Sequence, residues 1–257
     1  MRTAPRLLVS DIEGTLTDRT GRRSSEELLH KLKSLEENGV PLVLCSGRDV
    51  AYQRALKERW GLDPDGPLVA ENGASVFFEG REYITYHPDG FQRDILIAFL
   101  KERGVEELGE LDPAKSHAIT VYPKGFMEGL DYSPDDIKRI YVFLVKHLKG
   151  SHYRVLHTSA SGEVLPRGVD KGTGLDRLLK LARLDPAGAL FLGDGQNDLS
   201  AARMILKGRG RVAVPADAFP ALRRIATYVS EKPYFHGAED ILDHFFPDRP
   251  AGRRGSR

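Results

Sequence analysis

Leu7-Leu8-Val9-Ser10-Asp11-Ile12-Glu13-Gly14-Thr15 decides the fold. Three apolar residues run straight into two carboxylates, the order expected where a buried strand leaves the core at its carboxyl end. In extended backbone alternate side chains share a face, so Asp11 and Glu13 can address one reacting group while Ile12 points away. Gly14 permits a sharp turn, and Thr15 adds a hydroxyl and a backbone donor. Taken alone, the same stretch also reads as a strand ending in an acidic turn before a helix cap.

The same grammar recurs along the chain. Residues 25–38 read as an amphipathic helix, capped by Ser24 or Ser25, with Glu26 and Glu27 in its first turn and Asn38-Gly39 at its end. Residues 40–45 are a second buried strand, Ser46-Gly47-Arg48 opens a helix reaching about Trp60, and residues 67–70 are a third strand. After a long interval come a helix over 172–183, a strand over 189–192, a Gly-Asp loop, a helix over 199–206, a strand over 211–214, a helix over 219–225 and a strand over 227–230. Apolar strands alternating with helices indicate an α/β fold, a doubly wound parallel sheet covered on both faces.

Between these halves the pattern changes. Residues 81–87 alternate, 91–103 are helical, 118–122 are strand-like, Ser133-Pro134-Asp135 opens a helix, and 153–158 and 163–166 can pair as a hairpin. This is an inserted antiparallel α+β layer. The expected organisation is a discontinuous core over 1–78 and 168–247, an insertion over 79–167, and a disordered tail over 248–257 rich in Pro, Gly and Arg.

Of 257 residues 40% are hydrophobic, enough for a substantial core, and 38 basic against 37 acidic residues leave a net charge of +1. No global field favours nucleic acid, so attraction for anions must be local. The lone Cys45 excludes an internal disulfide, fits a reducing compartment and reads as a small buried hydrophobe. No apolar stretch reaches membrane-spanning length and the N-terminus enters a strand too early for a secretory signal, so the cytoplasm is expected. The eight histidines contain no H-x-H or H-x-x-x-H pair that would suggest zinc. Monomer and homodimer both remain open.

Ligands of an open parallel sheet sit beyond the carboxyl ends of its strands. Asp11 and Glu13 follow the first strand, Ser46-Gly47-Arg48 the second, and Gly193-Asp194-Gly195-Gln196-Asn197-Asp198 the strand at 189–192, while Lys171 opens the preceding helix. Ser46 and the Gly47 amide at a helix start can cradle an anion, and Lys171 adds a cation. Asp194 with Asp11 supplies hard oxygen ligands for Mg²⁺. A phosphate so held would face a carboxylate nucleophile, and Glu13 could act as acid and base.

These segments resemble the four motifs of the haloacid dehalogenase (HAD) superfamily of phosphatases, in that family's order. The insertion closed by Val169-Asp170-Lys171-Gly172, with Glu71-Asn72-Gly73-Ala74 before it and Gly162-Glu163-Val164-Leu165-Pro166 at its end, resembles the α+β cap of the Cof-type, or class IIB, branch. The resemblance implies that Asp11 is the nucleophile and a Mg²⁺ ligand, and that Glu13 ligates Mg²⁺ through its backbone carbonyl and serves as acid/base. It implies phosphoryl binding by Ser46, Gly47 and Lys171, metal binding by Asp194, and an orienting role for Asn197 and Asp198 towards phosphate, lysine or metal. Most phosphatases of this class carry Asp where this chain has Glu13, whereas the similar enolase-phosphatases carry Glu.

Arg48 reads either as a substrate contact or as a solvated helix residue, Glu163 as a contact to substrate hydroxyls or as a solvent-facing strand residue, and Asn72 as part of the entrance or of a turn. Thr15-Leu16-Thr17-Asp18 and Gly66-Pro67 through Gly73 resemble the archaeal-type phosphoglycolate phosphatases. Ser46-Gly47-Arg48 and Glu163 look more like Cof-type sugar phosphatases. The expected partner is a small phosphorylated metabolite, with 2-phosphoglycolate first and mannosyl-3-phosphoglycerate, sucrose phosphate or a hexose phosphate as alternatives. An enolase-phosphatase-like enzyme and a non-catalytic phosphometabolite-binding protein are the remaining readings.

Overall fold

A computed structural model describes residues 4–87, 90–158 and 160–247. The first part of the chain forms β1 (Leu7–Ser10), α1 (Glu26–Glu37), β2 (Leu42–Cys45), α2 (Val50–Arg59), β3 (Leu68–Ala70), β4 (Ser75–Phe78) and β5 (Arg81–Ile84). Then follow α3 (Arg93–Glu102), α4 (Val105–Leu108), β6 (Gly109–Leu111), β7 (Ile119–Pro123), α5 (Pro134–Leu148), β8 (Tyr153–His157) and β9 (Gly162–Pro166). The last part holds α6 (Lys171–Ala182), β10 (Ala189–Leu192), α7 (Leu199–Lys207), β11 (Arg211–Val214), α8 (Pro220–Ile225), β12 (Tyr228–Val229) and α9 (Tyr234–Phe245).

Eight strands form one sheet in the order β12-β11-β10-β1-β2-β3-β4-β5. β1 pairs in parallel with β2 on one side and β10 on the other, and the parallel run extends from β12 to β3. The chain moves one way from β1 and later the other way from β10, so the strand order reverses between these two, where a crevice opens at the carboxyl ends. Leu7 and Val9 of β1 pack with α6 and α7 residues such as Leu175, Leu178 and Ile205. Leu8, on the opposite face, packs with Leu28 and Leu32 of α1, Leu56 of α2, and Ile241 and Leu242 of α9. Both faces are therefore buried, which is why β1 needs no polar alternation.

Helix starts follow their sequence signals. Ser25 accepts the Leu28 amide at the start of α1, and Asp49 does the same for Tyr52 in α2. Ser133 and Asp136 form a reciprocal capping box ahead of α5.

A second, four-stranded antiparallel sheet has the order β6-β7-β9-β8. Leu100 of α3 and Ile140 and Leu144 of α5 pack on Ile119, Val121 and Val164 of this sheet. Arg81–Ile84, grouped by its alternation with the insertion, instead pairs antiparallel with β4 at the edge of the first sheet. Its mostly exposed residues fit an edge strand equally well, and the pattern alone cannot choose the partner. The expected hairpin forms as β8 and β9, although Ser159 at its turn lies outside the described residues, as does the expected tail at 248–257. Helix α9 was not expected. Among the described residues no helix is long and apolar enough to cross a membrane.

Candidate active site

Asp11 leaves β1 with its amide donating to the Leu192 carbonyl at 3.0 Å, so the backbone pairing of β1 with β10 continues into the loop. Its Oδ1 accepts the Ile12 amide at 2.8 Å, and its Oδ2 lies 2.8 Å from Lys171 Nζ. Lys171 is the first residue of α6 and is fully buried; its ammonium also pairs with Asp198 Oδ1 at 2.7 Å. Burial alone would push this ammonium down, but the Asp11 and Asp198 carboxylates outweigh it and hold Lys171 above its ordinary value. Asp198 Oδ2 is spent on the amides of Asp194 and Gly195, at 3.0 and 2.8 Å. It therefore braces the Gly-Asp loop and the lysine together.

The amides of Thr15, Leu16 and Thr17 converge on the Ile12 carbonyl, turning the chain back after Asp11. Gly14 sits in this turn at φ 80°, and a Cβ there would lie 2.4 Å from Asp194 Oδ2, so glycine is needed for both conformation and clearance. Thr15 Oγ1 donates to Asp194 Oδ1 at 3.1 Å. Asp11, Asp194 and Asp198 each offer an oxygen within 4.8 Å of the others. Three carboxylates against one ammonium leave uncompensated negative charge, and oxygens at this spacing fit a hard divalent cation.

Burial, then Asp198, push the Asp11 carboxyl well above its ordinary value against the pull of Lys171. Burial and Asp198 raise Asp194 from 3.8 to about 7. Because the folded-state value exceeds the unfolded one, the folded metal-free protein binds the extra proton, and this group's contribution to stability declines as pH rises from about 4 through 7. Asp194→Asn removes that titration. In EDTA at about pH 8 the variant is expected to melt higher than the parent, with a flatter decline between pH 5 and 8, and to lose stabilisation by added divalent cation. Thermal unfolding with and without the cation reads all three, and a lower melting point at about pH 8 would contradict the electrostatic account.

Glu13 points across the site. Its Oε1 accepts Arg48 Nε at 2.6 Å and its Oε2 accepts Ser46 Oγ at 3.3 Å. The Arg48 guanidinium also lies over the Tyr52 ring, 4.6 Å from its centroid. Arg48 thus holds the Glu13 carboxylate at the border of the cavity. The extra methylene of Glu over Asp supplies this reach.

The second sheet closes the other side. Glu163 of β9 is buried, with Oε2 accepting from Asn72 Nδ2 and Oε1 accepting the Ser161 hydroxyl at 3.2 Å. Asn72 Oδ1 in turn accepts Asn197 Nδ2 at 2.9 Å, so a chain of side chains runs from the Gly-Asp loop to the insertion. A cavity of about 450 Å³ lies between, lined by Asp11, Glu13, Ser46, Arg48, Glu163 and Asp194 among others. Gly47, Asn72 and Asn197 border it as well. Lys171 and Asp198 do not line it; they lie behind Asp11 and support it from below.

Several neighbours carried no motif. Tyr122 and Phe126 stack at 4.4 Å between centroids and, with Arg19 and His157, form part of the wall. In sequence Tyr122 and His157, like Lys124 and Arg154, read either as substrate-selecting residues of the insertion or as ordinary surface. Of Glu71 and Lys115, which join the two sheets beside the cavity, Glu71 entered only as part of the Glu71-Asn72-Gly73-Ala74 segment and Lys115 gave no signal.

A family profile described as haloacid dehalogenase-like hydrolase matches residues 8–109 and 113–242. A phosphoglycolate phosphatase of Thermoplasma acidophilum is 25% identical over 240 residues, covering 93% of this chain and 98% of that protein. One from Methanoculleus marisnigri is 28% identical over 247 residues, covering 93% and 96%. Among solved structures, a Thermoplasma acidophilum protein superposes with a TM-score of 0.72 at 22% identity, over 94% of this chain and 98% of that one. The sucrose-phosphatase of Synechocystis, solved with sucrose and phosphate, gives 0.67 at 20% identity, over 95% and 98%. These structural likenesses concern the fold.

Proposed function

The chain belongs to the haloacid dehalogenase-like hydrolases, and from that premise we propose that it is a Mg²⁺-dependent phosphatase of small-metabolite phosphomonoesters, with 2-phosphoglycolate as leading substrate. The observation that carries the reading is Asp11, 2.8 Å from the buried Lys171 ammonium at the floor of the cavity, with Ser46 and Glu13 facing it. Two relatives that match over nearly their whole length carry the name phosphoglycolate phosphatase, which supports the substrate.

In this reading an Asp11 oxygen attacks phosphorus as the ester oxygen departs, giving an aspartyl-phosphate that water then cleaves. Ser46 and Gly47 cradle the phosphoryl oxygens, and Lys171 favours the ionised form of Asp11 against burial and Asp198 while opposing the charge of the phosphoryl group. Asn197 orients that group through its link to Asn72, and Asp198 fixes the lysine. When a phosphate oxygen claims the Ser46 hydroxyl, Glu13 keeps its Arg48 anchor at Oε1, and a proton carried on the freed Oε2 passes to the leaving alkoxide, after which the carboxylate accepts one from water. Mg²⁺, held by Asp11, Asp194 and the Glu13 carbonyl with Asp198 close by, would supply charge neutralisation on the phosphoryl oxygens when bound.

A second reading, a sugar-phosphate phosphatase, draws on the cavity. Its volume of about 450 Å³ falls in the roughly 300–1,000 Å³ range of sites that enclose ligands larger than glycolate, and Glu163 offers acceptors for hydroxyl groups. Release of inorganic phosphate from phosphoglycolate, sucrose phosphate, mannosyl-3-phosphoglycerate, hexose phosphates and p-nitrophenyl phosphate, with Mg²⁺ and with EDTA, separates the readings. Mg²⁺-dependent turnover with the highest kcat/KM on phosphoglycolate is expected. A higher value on a sugar phosphate favours the second reading, and phosphate release from none of them overturns both.

A further inference from the structure

Two charged residues close a ring of hydrogen bonds around the anion loop. Glu71 follows β3 and is 1% exposed. Its carboxylate accepts three successive backbone amides of the segment leading into β7, from Ser116 at 3.0 Å, His117 at 2.9 Å and Ala118 at 2.7 Å. This fixes the neighbouring Lys115, itself 3% exposed, whose ammonium donates to the Gly47 carbonyl. The ring returns through backbone bonds, with the Glu71 amide on the Arg48 carbonyl at 2.9 Å and the Asn72 amide on the Ser46 carbonyl at 3.0 Å.

Two further features set this ring apart from ordinary packing. Glu71 and Asn72 are consecutive residues with left-handed backbone, at φ 47° and 53°. Such strain persists in residues with a Cβ only where the surroundings over-determine it. The second feature is the choice of residue. A lysine ammonium is expensive to bury unless its charge is used, and here it donates to a carbonyl of the loop that borders the cavity and also attracts the buried Glu163 carboxylate.

The Gly47 carbonyl and the Arg48 amide belong to one planar peptide unit, so holding the first orients the second. That amide lies 3.3 Å from Ser46 Oγ. We infer that Lys115, set in place by Glu71, is a positioning residue for phosphoryl binding: a strut from the insertion that fixes the peptide plane of the Ser46-Gly47-Arg48 loop and brings a positive charge beside it. The inference rests on the phosphate-cradle role proposed for Ser46 and Gly47. It makes the affinity of the core loop for phosphate depend on a residue carried by another segment.

Calorimetric titration of the full chain with inorganic phosphate in Mg²⁺ tests it, alongside steady-state kinetics on the phosphomonoester the parent turns over. Lys115→Met is expected to weaken phosphate binding and raise KM by about tenfold or more, with a smaller change in kcat. Lys115→Arg should recover part of the loss, and Glu71→Gln, with one acceptor oxygen for three amides, should fall between. A phosphate Kd within about twofold of the parent in folded Lys115→Met, whatever its Tm, overturns the inference. If that variant does not fold, an unchanged Kd in both Lys115→Arg and Glu71→Gln overturns it equally. A parent that neither binds phosphate nor hydrolyses any ester removes the cradle reading and the strut with it, whereas a parent that binds and variants that match it remove the strut alone.

Discussion

Asp11→Asn is expected to leave a folded protein whose kcat/KM on any accepted phosphomonoester has fallen by about 10⁴-fold or more, since the step that forms the covalent intermediate loses its nucleophile. The amide can keep the Ile12 contact through its oxygen, and Lys171 retains Asp198 at 2.7 Å, so the floor of the site stays braced. Removing one of three clustered carboxylates also relieves repulsion that burial makes severe. Stability should therefore change far less than turnover. Phosphate release against time, with a melting curve on the same preparation, measures both. Parent-like activity in the variant with Mg²⁺ would end the nucleophile assignment.

Lys171→Met should cost stability as well as turnover. The ammonium is the buried cation shared by Asp11 and Asp198, and its loss leaves their charge uncompensated in the core. Removing one partner of a buried ion pair costs about 3–5 kcal/mol, a large part of the stability of a typical domain. The deficit has a direction in pH. Without the lysine Asp11, whose carboxyl is already raised with it present, gains a proton more readily in the folded state, so the deficit should shrink as pH falls from about 8 towards 5. Denaturant unfolding in EDTA at the two pH values checks this. A deficit below about 1 kcal/mol at pH 8 would show that the lysine is not what balances these charges.

The floor of the site was legible in sequence because each of its parts sits at an element boundary. Asp11 follows a run of buried residues, Lys171 opens a helix behind the Asp170 cap, and Asp194 follows β10. What escaped was pairing across long separations. Arg48 meets Glu13 over 35 positions and Lys115 meets Gly47 over 68, and no local period encodes which charge finds which. The same reason explains Arg81–Ile84, whose alternation gave a strand but not its sheet. Helix α9 is a different case. Its buried Ala238, Ile241, Leu242 and Phe245 repeat at helical spacing, so the signal was present next to a terminus expected to be irregular.

Gly73 and Gly174 let two backbone segments meet where the insertion joins the first sheet. A Cβ on Gly73 would fall 2.0 Å from the Asp170 carbonyl oxygen, and one on Gly174 would fall 2.5 Å from the Gly73 Cα. Thr85 donates its amide to the Ala74 carbonyl, and Ala74 packs with Leu165 and Val169. The chain thus departs after Thr85 and returns at Val169 to nearly the same point. Closing an excursion of about 80 residues costs on the order of 4 kcal/mol in chain entropy, and doubling its length would add only about 0.6 kcal/mol. The stability of the core that carries Asp11, Lys171 and Asp194 is therefore almost indifferent to the length of the segment above it, and residues added to the insertion away from Lys115 and Glu163 cost little in chain entropy.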